Sequence, residues 1–141
     1  MSGSSALAAN ACFLAFDFGT LRVGVACGNA LLRQAQALRS ISASGDARWA
    51  VIASLIQEWQ PHALVVGVPF HPDGAAHENT VKARRFARQL HGRFHLPVHE
   101  VDERWTTTEA LSQGARDVDA AAAAIILNQF FAQAELGDVA A

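Results

Sequence analysis

The chain has 141 residues, 51% hydrophobic and 17% charged, which fits one compact domain with a real core and excludes a disordered polymer. A formal net charge of -2 excludes a global basic field, so a nucleic-acid partner would have to be met by a local patch or through metal ions. Two cysteines, Cys12 and Cys27, are too few for a cysteine zinc site and are expected as buried reduced thiols.

Met1 to Asn10 is small and polar, without the basic region or apolar run of a signal peptide. No segment reaches the ~18 apolar residues that a membrane span needs. These features predict a cytoplasmic protein: a flexible N-terminus at 1–11, a single domain at 12–134 and a flexible C-terminus at 135–141.

Phe13-Leu-Ala-Phe-Asp17 reads as a buried strand that ends on a carboxylate. Strand alternation puts Cys12, Leu14 and Phe16 on one face and Phe13, Ala15 and Asp17 on the other. A carboxylate on an apolar strand is costly unless it is paired, hydrogen-bonded or bound to metal. Gly19 and Thr20 turn the chain, and Val23 to Ala26 returns as a second strand, Arg22 and Gly24 sharing a face at period two. The plainer reading is a hairpin in which Asp17 caps the turn.

Asn29 to Ile41 is read as a third antiparallel strand, because two strands alone would leave an open edge. Asp46 is expected to cap a helix with Trp49, Ile52, Ala53, Ile56 and Trp59 inward, stopped by Pro61. Ala63 to Gly67 is a short all-apolar strand, as in a parallel sheet covered on both faces. A turn-rich loop, Val68 to Gly74, leads to a helix over 78–94 with Ala83, Phe86, Ala87, Leu90 and Phe94 inward. Its outer Lys82, Arg84, Arg85 and Arg88 form either a solvated face or a phosphate contact. Pro97 to Val101 is a further strand ending in Asp102-Glu103-Arg104, followed by a short helix over 106–113. Asp117 or Asp119 opens a final Ala-rich helix through Ala134, Asp117 being the plainer cap. The order predicts an α/β fold, a mixed five-stranded sheet of antiparallel meander plus parallel strands, flanked by helices.

In such a sheet the strand ends share an edge, where sites form. Asp17 ends the first strand, Asp102-Glu103 end the last, and Asp119 opens the final helix. Three carboxylates without His or Cys partners are a hard-oxygen set suited to Mg²⁺ or Mn²⁺ and to phosphoryl chemistry. Adjacent strand residues point to opposite faces, so the sequence leaves open whether Asp102 or Glu103 faces the site. His71 and His77 flank Asp73 without a compact metal-ligand spacing.

Asp17-Phe-Gly-Thr-Leu-Arg-Val-Gly-Val, Val66-Gly-Val-Pro with Asp73-Gly74, Val101-Asp-Glu-Arg-Trp-Thr-Thr107 and Asp119 to Leu127 occur in an order that resembles the YqgF/RuvX family. These RNase H-like proteins are described as Holliday junction resolvases and as pre-16S rRNA nucleases. The resemblance covers roughly Phe13 to Ala132. It implies an RNase H-like fold and metal-dependent cleavage of structured nucleic acid, in trimming the 5′ end of precursor 16S rRNA or in resolving branched DNA. By position it implies Asp17, Glu103 and Asp119 as catalytic, metal-binding carboxylates, with Asp102 able to replace Glu103. Arg104 then reads as a phosphate contact or a partner of the acidic cluster, and Thr20, Arg22, Thr106 and Thr107 as orienting carboxylates or phosphates. The chain departs from the family in a short Thr108 to Val118 segment holding only Arg116, where a longer Lys-rich loop is common. That weakens the grip on branched DNA.

Two other readings compete. Asp17-Phe-Gly-Thr also resembles the phosphate-binding turn of actin-like ATPases, which need two such domains. A non-catalytic RNA-binding or transcription-associated factor is the third reading, opposed by carboxylates that would repel phosphates without metal. No dimer stripe is evident, so a monomer or weak homodimer is expected.

Overall fold

The computed structural model of the protein describes residues 11–71, 73–103 and 114–140, the stretch 134–140 by its backbone alone. Its elements are β1 (Cys12–Phe18), β2 (Val23–Asn29), β3 (Gln34–Ile41), α1 (Gly45–Trp59), β4 (Ala63–Val68), α2 (Glu78–Phe94), β5 (Val98–Asp102) and α3 (Val118–Ala140). The five strands form one sheet in the order β3-β2-β1-β4-β5. β1, β2 and β3 are an antiparallel meander, whereas β4 lies parallel to β1 and β5 parallel to β4. This is the mixed sheet expected from the sequence, with the third strand in place at its edge.

Strand alternation sorts the core into two layers. Leu14 and Phe16 of β1, with Leu64, Val66 and Val68 of β4, pack under Ile52 and Leu55 of α1 and Ala83, Phe86 and Leu90 of α2. Phe13, Ala15, Ala63, Val65 and Val101 face the other way and pack on Ile126, Leu127 and Phe131 of α3. Burial of this apolar surface, worth about 25 cal/mol per Å², holds the helices on the sheet. Asp17 has the parity of Phe13 and Ala15, so its carboxylate is on the α3 side. Cys12 and Cys27 are free thiols, and burial pushes both above their ordinary range.

Several local expectations change. Ala53 of α1 is exposed, and the buried stripe is Arg48, Ile52 and Leu55. Ser44 rather than Asp46 is the N-cap of α1, Asp46 lying in its first turn. α2 has the expected span, but its N-cap is His77: Nδ1 accepts from the Asn79 N–H, and the Thr80 hydroxyl accepts from the His77 N–H. That cap explains His77 without a metal. Ala11, assigned to the N-terminal tail, is buried, and its carbonyl accepts from the Ala30 N–H. α3 continues past Ala134 to Ala140. The helix expected over 106–113 lies outside the described residues. Among the described residues, no helix is long and apolar enough to cross a membrane.

Candidate active site

The site is built at the ends of β1 and β5 and the start of α3. Asp17 pairs with Gly24 across the β1–β2 ladder. A Cβ on Gly24 would lie 1.9 Å from the Asp119 carbonyl oxygen, so the first turn of α3 rests directly on the bare backbone of β2. Any larger residue would push that turn, and with it Asp119, away from Asp17.

A second glycine admits the third carboxylate. Gly67 pairs with Val101 and Val68 with Asp102 in the parallel β4–β5 ladder. Val68 belongs to the α1–α2 layer, and Asp102 shares its side of the sheet, whereas Val101 packs toward α3. Glu103 has the parity of Val101 and lies on the α3 side. Its Oε2 lies 2.9 Å from where a Gly67 Cβ would stand. Asp17, Glu103 and Asp119 therefore line one open cleft of about 450 Å³, together with Thr20, Arg22, Pro69 and Asn79. Of Asp102 and Glu103, it is Glu103 that lines the cleft.

The three acids are unequal. Asp17 is pushed up to about 7, first by burial and then by the negative charges of Glu103 and Asp119. Its anion is costly at neutral pH. Asp119 accepts a hydrogen bond from Arg22 Nε at 2.7 Å, and the Ser40 hydroxyl lies 3.4 Å from the same oxygen. Asp117 is the N-cap of α3, its Oδ1 accepting from the Ala120 N–H and from the Ser40 hydroxyl. Burial alone would raise Asp117, but these hydrogen bonds and those from the Ser40 and Asp119 backbone hold it below the usual carboxylate value. Asp117 thus serves the helix and Asp119 the cleft.

Arg48 is a structural member of the site that sequence reasoning missed. It is buried, donating from Nε to the Ala43 carbonyl at 3.0 Å and from a terminal nitrogen to the Thr20 carbonyl at 3.0 Å. Its guanidinium also lies 5.7 Å from the Phe18 ring centre. A cation on the same helical stripe as Ile52 and Leu55 was the available signal. Asn79 was missed as well, since only the three-dimensional path of α2 brings its first turn to the cleft. Of the expected phosphate contacts, Thr20 and Arg22 line the cleft, while Arg104, Thr106 and Thr107 lie outside the described residues.

The family model described as "RuvX: Holliday junction resolvase" matches residues 11–133. The chain belongs to the RuvX family. A relative from Albidiferax ferrireducens, named "Putative pre-16S rRNA nuclease", is 71% identical over 118 residues, spanning 84% of this chain and 76% of that protein. A Burkholderia thailandensis protein of the same name is 50% identical over 134 residues, spanning 90% and 92%. Among solved structures, T. thermophilus RuvC in complex with a Holliday junction substrate matches with a TM-score of 0.57, covering 91% of this chain and 97% of that one. At 16% identity this likeness speaks to the fold alone, and it bears out the RNase H-like architecture expected for a RuvX protein.

Proposed function

We propose that this RuvX protein is a metal-dependent endonuclease that hydrolyses phosphodiester bonds in structured nucleic acid, acting in the cytoplasm to mature the 5′ end of precursor 16S rRNA. The observation that carries this reading is the convergence of Asp17, Glu103 and Asp119 on one cleft, with Asp17 driven up to about 7 by burial and its acidic neighbours. A cation bound beside Asp17 relieves that cost. The donors are all carboxylate oxygens, which suit Mg²⁺ or Mn²⁺ rather than a softer ion. The names of its close relatives support precursor rRNA as the substrate.

Among the described residues, no three His, Cys, Asp or Glu side chains are gathered tightly enough to hold an ion as they stand. Asp119 is turned to Arg22 at 2.7 Å. In this reading Asp17, Glu103 and Asp119 are the residues that would hold the ion, and Arg22, which pairs with Asp119, would be the contact for a substrate phosphate. The bound ion supplies a water nucleophile at neutral pH and neutralises charge at the phosphate. Thr20 and Arg22 position the backbone at the rim, a task assigned also to Arg104, Thr106 and Thr107 from the family resemblance. Arg48 keeps the Thr20 turn in place.

A second reading, cleavage of a Holliday junction, is favoured by the family's description. A two-fold symmetric junction would call for a dimer, whereas a monomer or weak homodimer suffices for leader trimming. The test offers purified protein and Mg²⁺ a labelled precursor 16S 5′ leader and, separately, a four-way DNA junction. Cutting of the leader upholds the proposal, and paired symmetric cuts in the junction alone favour resolution. Binding of the leader without any cutting turns the assignment to a non-catalytic RNA-binding factor.

A further inference from the structure

We infer that the groove between the N-terminal halves of α1 and α2 is a backbone-binding track for the single strand that flanks the cleavage site. This inference rests on the nuclease reading above, and it assigns a site for substrate outside the acidic cleft.

The cleft does not end at the carboxylates. Phe18 lines it and also lines a neighbouring groove of about 230 Å³, whose walls include Trp49 of α1 and Lys82, Arg85 and Gln89 of α2. Asn79, in the first turn of α2, belongs to the cleft. Asn79, Lys82, Phe86 and Gln89 follow one another at helical spacing along a single face, with Arg85 beside them. At 1.5 Å per residue this stripe leads ~15 Å away from the cleft. Cations thus begin one turn beyond the acidic cluster and continue along the same groove.

The four basic residues on the outer side of α2 are not equivalent. Arg84 is paired with Glu100 at 3.3 Å. Arg88 lines a different groove, with His91, Val98 and Glu100. Lys82 and Arg85 alone among them face the groove that continues the cleft. Among the described residues Lys82 pairs with Glu78 alone, at 3.2 Å in an exposed i,i+4 pair, and such pairs re-form at little cost around a phosphate. Arg85 makes no ion pair with any described residue.

The floor of the groove predicts what kind of contact it makes. Trp49 stacks on Phe86 with ring centres 5.5 Å apart and carries the Arg93 guanidinium 4.3 Å from its own ring centre. Its ring is engaged within the protein, so it is a wall rather than a platform for bases. A groove with one weakly paired cation, one that makes no ion pair with a described residue, and an occupied aromatic floor reads phosphates without reading sequence. Its volume of about 230 Å³ suits a stretch of one strand's backbone rather than a duplex.

The test uses full-length protein carrying Asp17→Asn, so that substrate is bound without being cut, and the labelled single-stranded precursor 16S leader as probe. Affinity is measured across a salt series. Adding Lys82→Ala and Arg85→Ala together is expected to weaken binding at least tenfold and to flatten the log–log salt slope by about 1.4, two contacts at ~0.7 each on a single strand. Arg88→Ala, one turn along the same helix, is expected to leave the slope unchanged. Equal effects of Arg88→Ala and Arg85→Ala would overturn the track in favour of diffuse surface charge. An unaltered slope in the double variant would also overturn it. The nuclease reading fails separately, if the chain with native Asp17 cuts no substrate while the track residues still govern binding.

Discussion

Gly24 and Asp119 are in backbone contact across the sheet–helix boundary: a Cβ on Gly24 would stand 1.9 Å from the Asp119 carbonyl oxygen. Through this contact the ladder partner of Asp17 becomes the seat of a second acid. Gly24→Ala is therefore expected to lift the first turn of α3, costing about 3 kcal/mol as an overpacked position, and to lower cleavage more than tenfold. Urea unfolding and leader cleavage on the same preparation check both. A well-folded, fully active Gly24→Ala protein would show that Asp119 needs no such seat.

Which acid after β5 serves the cleft is testable by charge-neutral substitution. Glu103→Gln is expected to reduce cleavage by a hundredfold or more, since Glu103 lies over Gly67 on the cleft side. Asp102→Asn, on the Val68 side of the sheet, is expected to retain most activity. The comparison is a rate measurement at saturating Mg²⁺, and a reversed order would reassign the position.

Asp17 gives a pH signature to the metal-free protein. Its folded value of about 7 stands above the ordinary aspartate value of 3.8, so the folded state keeps a proton that the unfolded chain has released. Stability therefore falls as pH rises from about 4 to about 7 and stays low above that. The full difference corresponds to roughly 4 kcal/mol as an upper bound. Asp17→Asn is expected to remove this loss, making the variant about 2–4 kcal/mol more stable than the unsubstituted protein at pH 8 and no more than about 1 kcal/mol more stable at pH 4.5. Denaturant titrations in EDTA at the two pH values read the difference directly. Parallel profiles would mean that Asp17 carries no such burden.

Arg48 is expected to act on the site without touching substrate. Losing its hydrogen bonds to the Ala43 and Thr20 carbonyls in Arg48→Ala should cost about 2–3 kcal/mol and loosen the turn at the cleft rim. Hydrogen exchange of the Gly19 and Thr20 amides should accelerate more than that of β1. Uniform acceleration would point to general destabilisation instead.

The sequence carried the architecture because its strands and helices announce themselves by period. β1 alternates around Asp17, and α2 shows Ala83, Phe86, Ala87 and Leu90 at helical spacing. The three acids were reachable because each closes or opens an element. The side of Glu103 was not reachable. Val98 packs toward α1 and α2 while Val101 packs toward α3, so β5 is covered on both faces and shows no clean alternation. The contacts of Gly24 with Asp119 and of Gly67 with Glu103 and Ile126 join elements distant along the chain, and no local pattern encodes them. Arg48 and His77 mislead for another reason. A buried guanidinium satisfied by carbonyls and a histidine acting as a helix cap both use residues whose commoner roles lie at the surface or in a site.

The central claim is that Asp17 is the pivot of a metal-dependent nuclease site, and the most direct test compares the protein with its Asp17→Asn variant on the precursor 16S leader, with Mg²⁺ and with EDTA. The account predicts Mg²⁺-dependent cutting that falls by at least a thousandfold in the variant, while the variant still folds and binds the leader. Cutting that persists in Asp17→Asn, or that proceeds equally in EDTA, would contradict it.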